Sequence, residues 1–253
     1  MDSLDFRNVF GKPVQYKELD IHPVKLIEAN EFYDYVRCLL IPKNTFKEIE
    51  IIKMSYLKFL FYLGLKDGHP YLLESLLKLL TIVFKTENIS FKTDEREKIT
   101  LIIDEKNEIN ENDFDKIKKI ICNQNLITID DQILDPELEQ KIKEAREFLQ
   151  RKSGKMADLE QQIVAYHCAF KMKYDDIAEL TIYQFQKGLS RMDLIKSADA
   201  LQNAKYSGFV SVGENDKLPT WLTHIEESKD PNSDVLMSKG EFDAMASKNG
   251  LVG

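Results

Sequence analysis

The run from Tyr71 to Phe84 constrains the fold more than any other stretch of the chain. Leu72, Leu73, Leu76, Leu77, Leu79, Leu80 and Val83 recur so closely that a helix here is apolar over more than half of its circumference. Such a helix belongs at the centre of a core or of an interface, not on a surface with one face in water. Glu74, Ser75 and Lys78 interrupt the run. No apolar run reaches the roughly 20 residues of a membrane span.

The flanking sequence supplies layers to cover this helix. Over residues 6 to 26, Phe6, Val9 and Phe10 precede the Gly11-Lys-Pro13 punctuation, and Val14 and Tyr16 then alternate with polar residues. That pattern predicts a β-hairpin or meander, with Pro23 at an edge. Phe32, Tyr35, Val36 and Leu39 stand at helical spacing over Glu28 to Leu40, before Pro42. A second helix is predicted from Phe46 to Leu63, with Ile49, Ile52, Tyr56, Phe59 and Leu63 on one face and Gly64 and Gly68 at its exit.

From Ile89 the apolar period changes to two. Ile89 with Phe91, and Ile99 with Leu101 and Ile103, predict two short strands. Asn110 or Asn112 caps a helix carrying Phe114, Ile117, Ile120 and Ile121. Asn125 ends it, and Leu126, Ile127 and Ile129 read as a third strand. Asp135-Pro136 is a cap followed by proline at the first helical position, opening a mostly charged helix to about Lys152. A helical unit follows over Ile163 to Met192. Its pattern fades beyond Lys196.

Residues 203 to 253 are rich in Gly, Asp, Asn, Ser and Lys, and read as a mobile tail. Two apolar islands interrupt the tail: Trp221 and Leu222 with Ile225, and Phe242 with Met245. The expected fold is α+β and predominantly helical. It comprises an N-terminal β-hairpin with helices (1–87), a small central α+β insertion (88–132), a C-terminal helical unit (133–202) and a flexible tail (203–253).

Catalytic vocabulary is sparse. Cys38, Cys122 and Cys168 are far apart and form no Cys-x-x-Cys pair, so neither a disulfide framework nor a zinc site is expected. His22, His69, His167 and His224 fall in four different segments. His167 adjoins Cys168, but neighbours on a helix point about 100° apart and are not a prearranged base and nucleophile. The acidic stretch from Asp104 to Asp115 has the length of a calcium loop. Lys106 stands at its third position, however, and Ile109 at the sixth, where the sharp turn needs glycine. No phosphate-binding glycine loop, nucleophile elbow or zinc-protease motif occurs in the sequence. The expectation is a non-enzyme with no cofactor and no metal. Met1-Asp-Ser-Leu-Asp lacks the features of a signal peptide, so cytoplasmic residence is expected.

The run Tyr174-Asp-Asp-Ile-Ala-Glu-Leu180, followed by a polar cap and another helix, resembles the helix-turn-helix of sigma-factor-type regulators. In that reading Gln184 and Gln186 would read adenine, and Lys187 and Arg191 would hold phosphate. The charges oppose it. From Met156 to Lys196 there are five basic residues against six acidic, within a chain of net charge −8. That leaves no electrostatic footprint for DNA, and nucleic acid is not the expected partner.

A broader resemblance is carried by Val9-Phe-Gly-Lys-Pro-Val-Gln-Tyr16, Leu19-Asp-Ile-His-Pro-Val24, Phe32-Tyr-Asp-Tyr-Val-Arg-Cys-Leu-Leu-Ile-Pro-Lys-Asn44 and Ile52-Lys-Met-Ser-Tyr-Leu-Lys-Phe-Leu60. Together with the Thr181-Ile-Tyr-Gln-Phe185 run and the Trp221-Leu222 tail, these landmarks resemble tail assembly chaperones of tailed phages and prophages of Gram-positive bacteria. The resemblance does not place residues 88 to 130. It implies a non-enzymatic factor that binds the helical tape-measure protein, keeps it soluble and yields it as tail-tube subunits polymerise. Self-association and a contact with the tail-tube protein are compatible with such a role, as is the alternative of a structural tail subunit of the virion. A partner helix is gripped through residues at i, i+3, i+4 and i+7 by an apolar groove. Under the resemblance, Leu72, Leu76 and Leu80, with Tyr183, Phe185 and Leu189, are the groove candidates. Trp221, Leu222 and Ile225 are candidates for a short docking motif.

Overall fold

The computed structural model describes residues 6–43, 46, 48–95, 97–129, 144, 157–207 and 218–225. Over these residues the fold is α+β and predominantly helical. Strands β1 (Val14–Tyr16) and β2 (Leu19–Ile21) form an antiparallel hairpin in which Val14 faces Ile21 and Tyr16 faces Leu19. Helix α1 (Ala29–Val36) follows, flanked by short 3₁₀ turns. Helices α2 (Ile49–Lys53), α3 (Tyr56–Leu65) and α4 (Tyr71–Phe84) come next. Strands β3 (Ile89–Thr93), β4 (Ile99–Ile103) and β5 (Asn107–Ile109) form a second, antiparallel sheet in that order. Helix α5 (Glu111–Gln124) packs on it. The C-terminal unit is α6 (Leu159–Phe170), α7 (Tyr174–Ala178) and α8 (Ile182–Tyr206).

Helix α4 is the pivot of the core. It touches α1, α3, β2 and β3. Leu72, Leu76, Leu79, Leu80 and Val83 are buried, as are Phe32 of α1 and Leu57, Phe59 and Leu60 of α3. The carbonyl of Val83 accepts from the amide of His22 at 2.9 Å, which ties the hairpin to the last turn of α4. On the other side, the Gln124 side chain donates to the Ile21 carbonyl at 3.0 Å, and the Asn125 side chain accepts from the Val24 amide at 3.1 Å. Both polar side chains are buried, where a lost hydrogen bond is costly, so they fix the register of the hairpin against the end of α5.

Four expectations need correction. Phe6 to Phe10 is a turn rather than strand, with the Phe10 amide on the Phe6 carbonyl at 3.1 Å. The helix expected over Phe46 to Leu63 is two helices, because Ser55 caps α3. Its hydroxyl accepts from the Lys58 amide and donates to Glu111 at 2.7 Å, while Asp115 takes the Tyr56 amide at 2.9 Å. The third strand is Asn107–Ile109, paired with β4 through Leu101 opposite Ile109. Leu126 instead has φ of +55°, and the Ile127 amide turns back onto the Cys122 carbonyl at 2.9 Å. Finally, α8 continues to Tyr206. Asn110 is the cap of α5, through its side chain to the Asp113 amide at 2.9 Å. The helix expected from Asp135 to about Lys152 falls outside the described residues apart from Glu144, which is helical. Phe242 and Met245 lie outside them altogether. No helix among the described residues is long and apolar enough to cross a membrane.

Candidate interaction surfaces

The face of α4 proposed as a groove is already filled. Leu72, Leu76 and Leu80 point into the chain's own core, against α1 and α3. The apolar periodicity is real, but what it serves is internal packing, because a helix apolar on most of its circumference is surrounded in the folded chain.

The C-terminal unit is built around the turn between α7 and α8. Helix α6 ends where Lys171 takes the left-handed conformation, φ +52°, with its amide on the His167 carbonyl. The His167 ring stacks on Tyr174, centroids 4.3 Å apart, and its Nδ1 lies 2.6 Å from the Met172 carbonyl. Thr181 opens α8 with a reciprocal cap: its hydroxyl accepts from the Gln184 amide and the Gln184 side chain accepts from the Thr181 amide.

This turn is stitched to the N-terminal lobe. The Leu26 amide donates to the Leu180 carbonyl, and the Ile182 amide to the Val24 carbonyl, both at 2.9 Å. Lys25 pairs with Glu179, and Gln184 Nε2 donates to the Val9 carbonyl at 3.0 Å. Gly11, at φ +63°, lets the N-terminal turn pass close to Thr181 and Gln184.

The aromatic start of α8 therefore faces inward. Phe185 is buried and packs on Tyr166 of α6, ring centroids 4.9 Å apart, while Tyr183 and Leu189 are half-buried. Gly188 makes room for the Tyr166 ring, since a Cβ there would lie 2.7 Å from the Tyr166 hydroxyl. The side chains that a DNA-reading helix would present are engaged within the chain. Gln184 holds the cap and Val9, and Gln186 reaches Gln162 at 3.3 Å. Lys187 lies over the Tyr183 ring, 5.5 Å from its centroid.

Arg191 has a different occupation, one that sequence reading missed. Its Nη1 donates to the carbonyls of Trp221 at 3.1 Å and Thr223 at 2.8 Å. The Thr220 amide on Thr223 Oγ1, at 2.7 Å, closes the same turn. Residues 221 and 223 are thus pinned to α8 through their backbone carbonyls, which leaves the Trp221 and Leu222 side chains exposed. Trp221 is 62% exposed and Leu222 71%, while Ile225 is half-buried. The sequence singled out Trp221, Leu222 and Ile225 as an apolar island and, under the resemblance, as a docking motif, but nothing in the spacing from Arg191 to Trp221 signals the tether.

Elsewhere, a cleft of about 410 Å³ opens between α3 and the β3–β4 turn, lined by Met54, Lys58, Phe61, Leu65, Glu97 and Ile99 among others. Among the described residues no group of three or more His, Cys, Asp or Glu side chains could hold a metal ion. No curated protein and no solved structure matches the chain. Residues 150–226, which take in α6, α7, α8 and the segment pinned by Arg191, match a family model described as the YomV second domain, from a phage- and prophage-associated protein family.

Proposed function

We propose that this chain is a phage-encoded, non-enzymatic tail assembly chaperone that works in the host cytoplasm and binds a helical tape-measure protein. The observation that carries the reading is the Trp221–Leu222 pair. It is exposed, apolar and held in place by Arg191, inside the segment that matches a phage-associated domain. Two large apolar side chains presented on a fixed turn suit a short docking contact, because aromatic anchors dominate the energetics of protein interfaces. Fixing the backbone beforehand lowers the ordering cost of binding. The landmarks from Val9 to Leu60 that resemble tail assembly chaperones support the same reading.

The test is co-expression with the long helical protein encoded beside this chain, followed by affinity capture. The expected result is a soluble complex, weakened at least tenfold by Trp221→Ala with Leu222→Ala and unaffected by Ile27→Ala, which is exposed elsewhere. A tape-measure protein that stays insoluble and uncaptured beside the folded chain refutes the chaperone reading.

A further inference from the structure

Helix α6 carries one buried residue, Tyr166, although it is rich in apolar side chains. Its outer face, turned away from Tyr166 and α8, is formed by Gln161, Val164, Ala165 and Cys168 at i, i+3, i+4 and i+7. All four are exposed, Val164 to 45%, and none is charged. The face is bracketed by charges of opposite sign. Asp158 is the N-cap, and Lys171 is the residue that ends the helix. Both are exposed, and neither has an ion pair among the described residues.

This pattern is complementary to itself. Two copies laid antiparallel about a two-fold axis between positions 164 and 165 set Val164 against Ala165 and Gln161 against Cys168. The same register sets Asp158 of each copy against Lys171 of the other. A closed two-fold contact needs this property, the same patch used twice with opposite charges meeting. The small Ala165 and Cys168 side chains allow close approach, and antiparallel helix dipoles attract. A parallel arrangement would bring Asp158 onto Asp158 and Lys171 onto Lys171. The net charge of −8 repels copies in general, and a neutral face with paired ends adds nothing to that repulsion.

We infer that the chain self-associates through the outer face of α6, in an antiparallel two-fold dimer with Asp158 of each copy on Lys171 of the other. The helix is about 18 Å long at 1.5 Å per residue, so the contact falls short of the roughly 800 Å² per partner of a standard interface. The dimer is accordingly weak and concentration-dependent.

Sedimentation equilibrium of the full chain tests this. The expected result is a weight-average mass that rises from the monomer toward twice that value with concentration. Val164→Glu or Ala165→Glu should weaken the association at least tenfold without changing the far-ultraviolet dichroism. Cross-linking fixes the register independently of those variants. Gln161→Cys with native Cys168 should give a disulfide-linked dimer in oxidised glutathione, lost on adding Cys168→Ser. Cys38 and Cys122 are buried, and burial pushes the Cys38 thiol up to about 12, so neither competes for the reagent. A chain that stays monomeric into the millimolar range overturns the inference. So does a dimer indifferent to both glutamates, or one in which the unaltered chain cross-links through Cys168 as readily as the Gln161→Cys variant. These readouts need no second protein, so their failure leaves the chaperone test untouched.

Discussion

Asp113 shows how one buried charge can organise the N-terminal lobe. It stands in the first turn of α5, takes a hydrogen bond from Lys17 Nζ at 2.5 Å and another from the Tyr16 hydroxyl at 2.7 Å, and so locks the β1–β2 turn onto the helix. Lys17 first, and Tyr16 next, hold its carboxyl below the usual carboxylate range, against desolvation, which pushes the other way. In the unfolded chain the same group titrates near ~3.9. Its folded pKa is the lower one, so its stabilisation is complete above the unfolded value and drains away as pH falls through the folded one. Lys17 is half-exposed, so solvent screens the pair and the effect is modest. Urea midpoints measured across the acid range should therefore fall below about pH 4, and Asp113→Asn should flatten that limb while lowering stability at neutral pH. Tyr16→Phe removes one hydrogen bond to a charged group and should cost on the order of 1–2 kcal/mol at neutral pH. An acid limb unchanged by Asp113→Asn would assign the loss to other carboxylates.

Among the elements, the segment pinned by Arg191 makes the sharpest prediction, because Trp221 is the chain's single tryptophan. Its steady-state anisotropy reports on this turn alone. Arg191→Ala removes both bonds to the turn, so anisotropy should fall and iodide quenching should rise while the helical signal stays constant. Unchanged anisotropy would mean that the tether does not order the turn. The same scale shows what the sequence made legible. Helix α4, an asparagine cap at residue 110 or 112 and the helical unit around Thr181 follow from local periodicity and capping chemistry, and the structure has them, with Asn110 as the cap. The break at Ser55 was not legible, because Ser55 and Tyr56 are fixed by Glu111 and Asp115, residues distant in sequence. The mistaken strand at Leu126 to Ile129 fails for a similar reason. β-propensity describes a fit to a half-buried surface, and here the partner of β4 was taken by Asn107–Ile109 instead. For the candidate site, apolar spacing marked Leu76 and Leu80, and the resemblance added Phe185, but spacing could not tell core from interface, since both want the same stripe.

For the molecule as a whole, the question is whether the C-terminal unit is a separate body or part of the main core. The match over residues 150–226 marks it as a unit of sequence. The packing ties it in: a single cluster of buried apolar side chains runs from Leu19 and Ile21 in β2, through α1, α3 and α4, to Ile177, Ile182 and Phe185. The backbone bonds Leu26 to Leu180 and Ile182 to Val24 cross the seam directly, and the reciprocal cap at Thr181 holds the crossing strand of chain in place. Local opening follows cooperative units, and amides inside one unit exchange at one common free energy. If the seam belongs to the core, the amides of Leu26 and Ile182 should exchange with solvent as slowly as those of Leu76 and Leu79 in the middle of α4. Thr181→Ala should then speed all four together, by roughly the factor of five that ~1 kcal/mol of lost capping implies. A seam that opens by itself predicts the opposite pattern: Leu26 and Ile182 exchange orders of magnitude faster than α4, and Thr181→Ala accelerates only those two. Native-state hydrogen exchange read residue by residue separates the outcomes, because the four amides lie on the two sides of the proposed division.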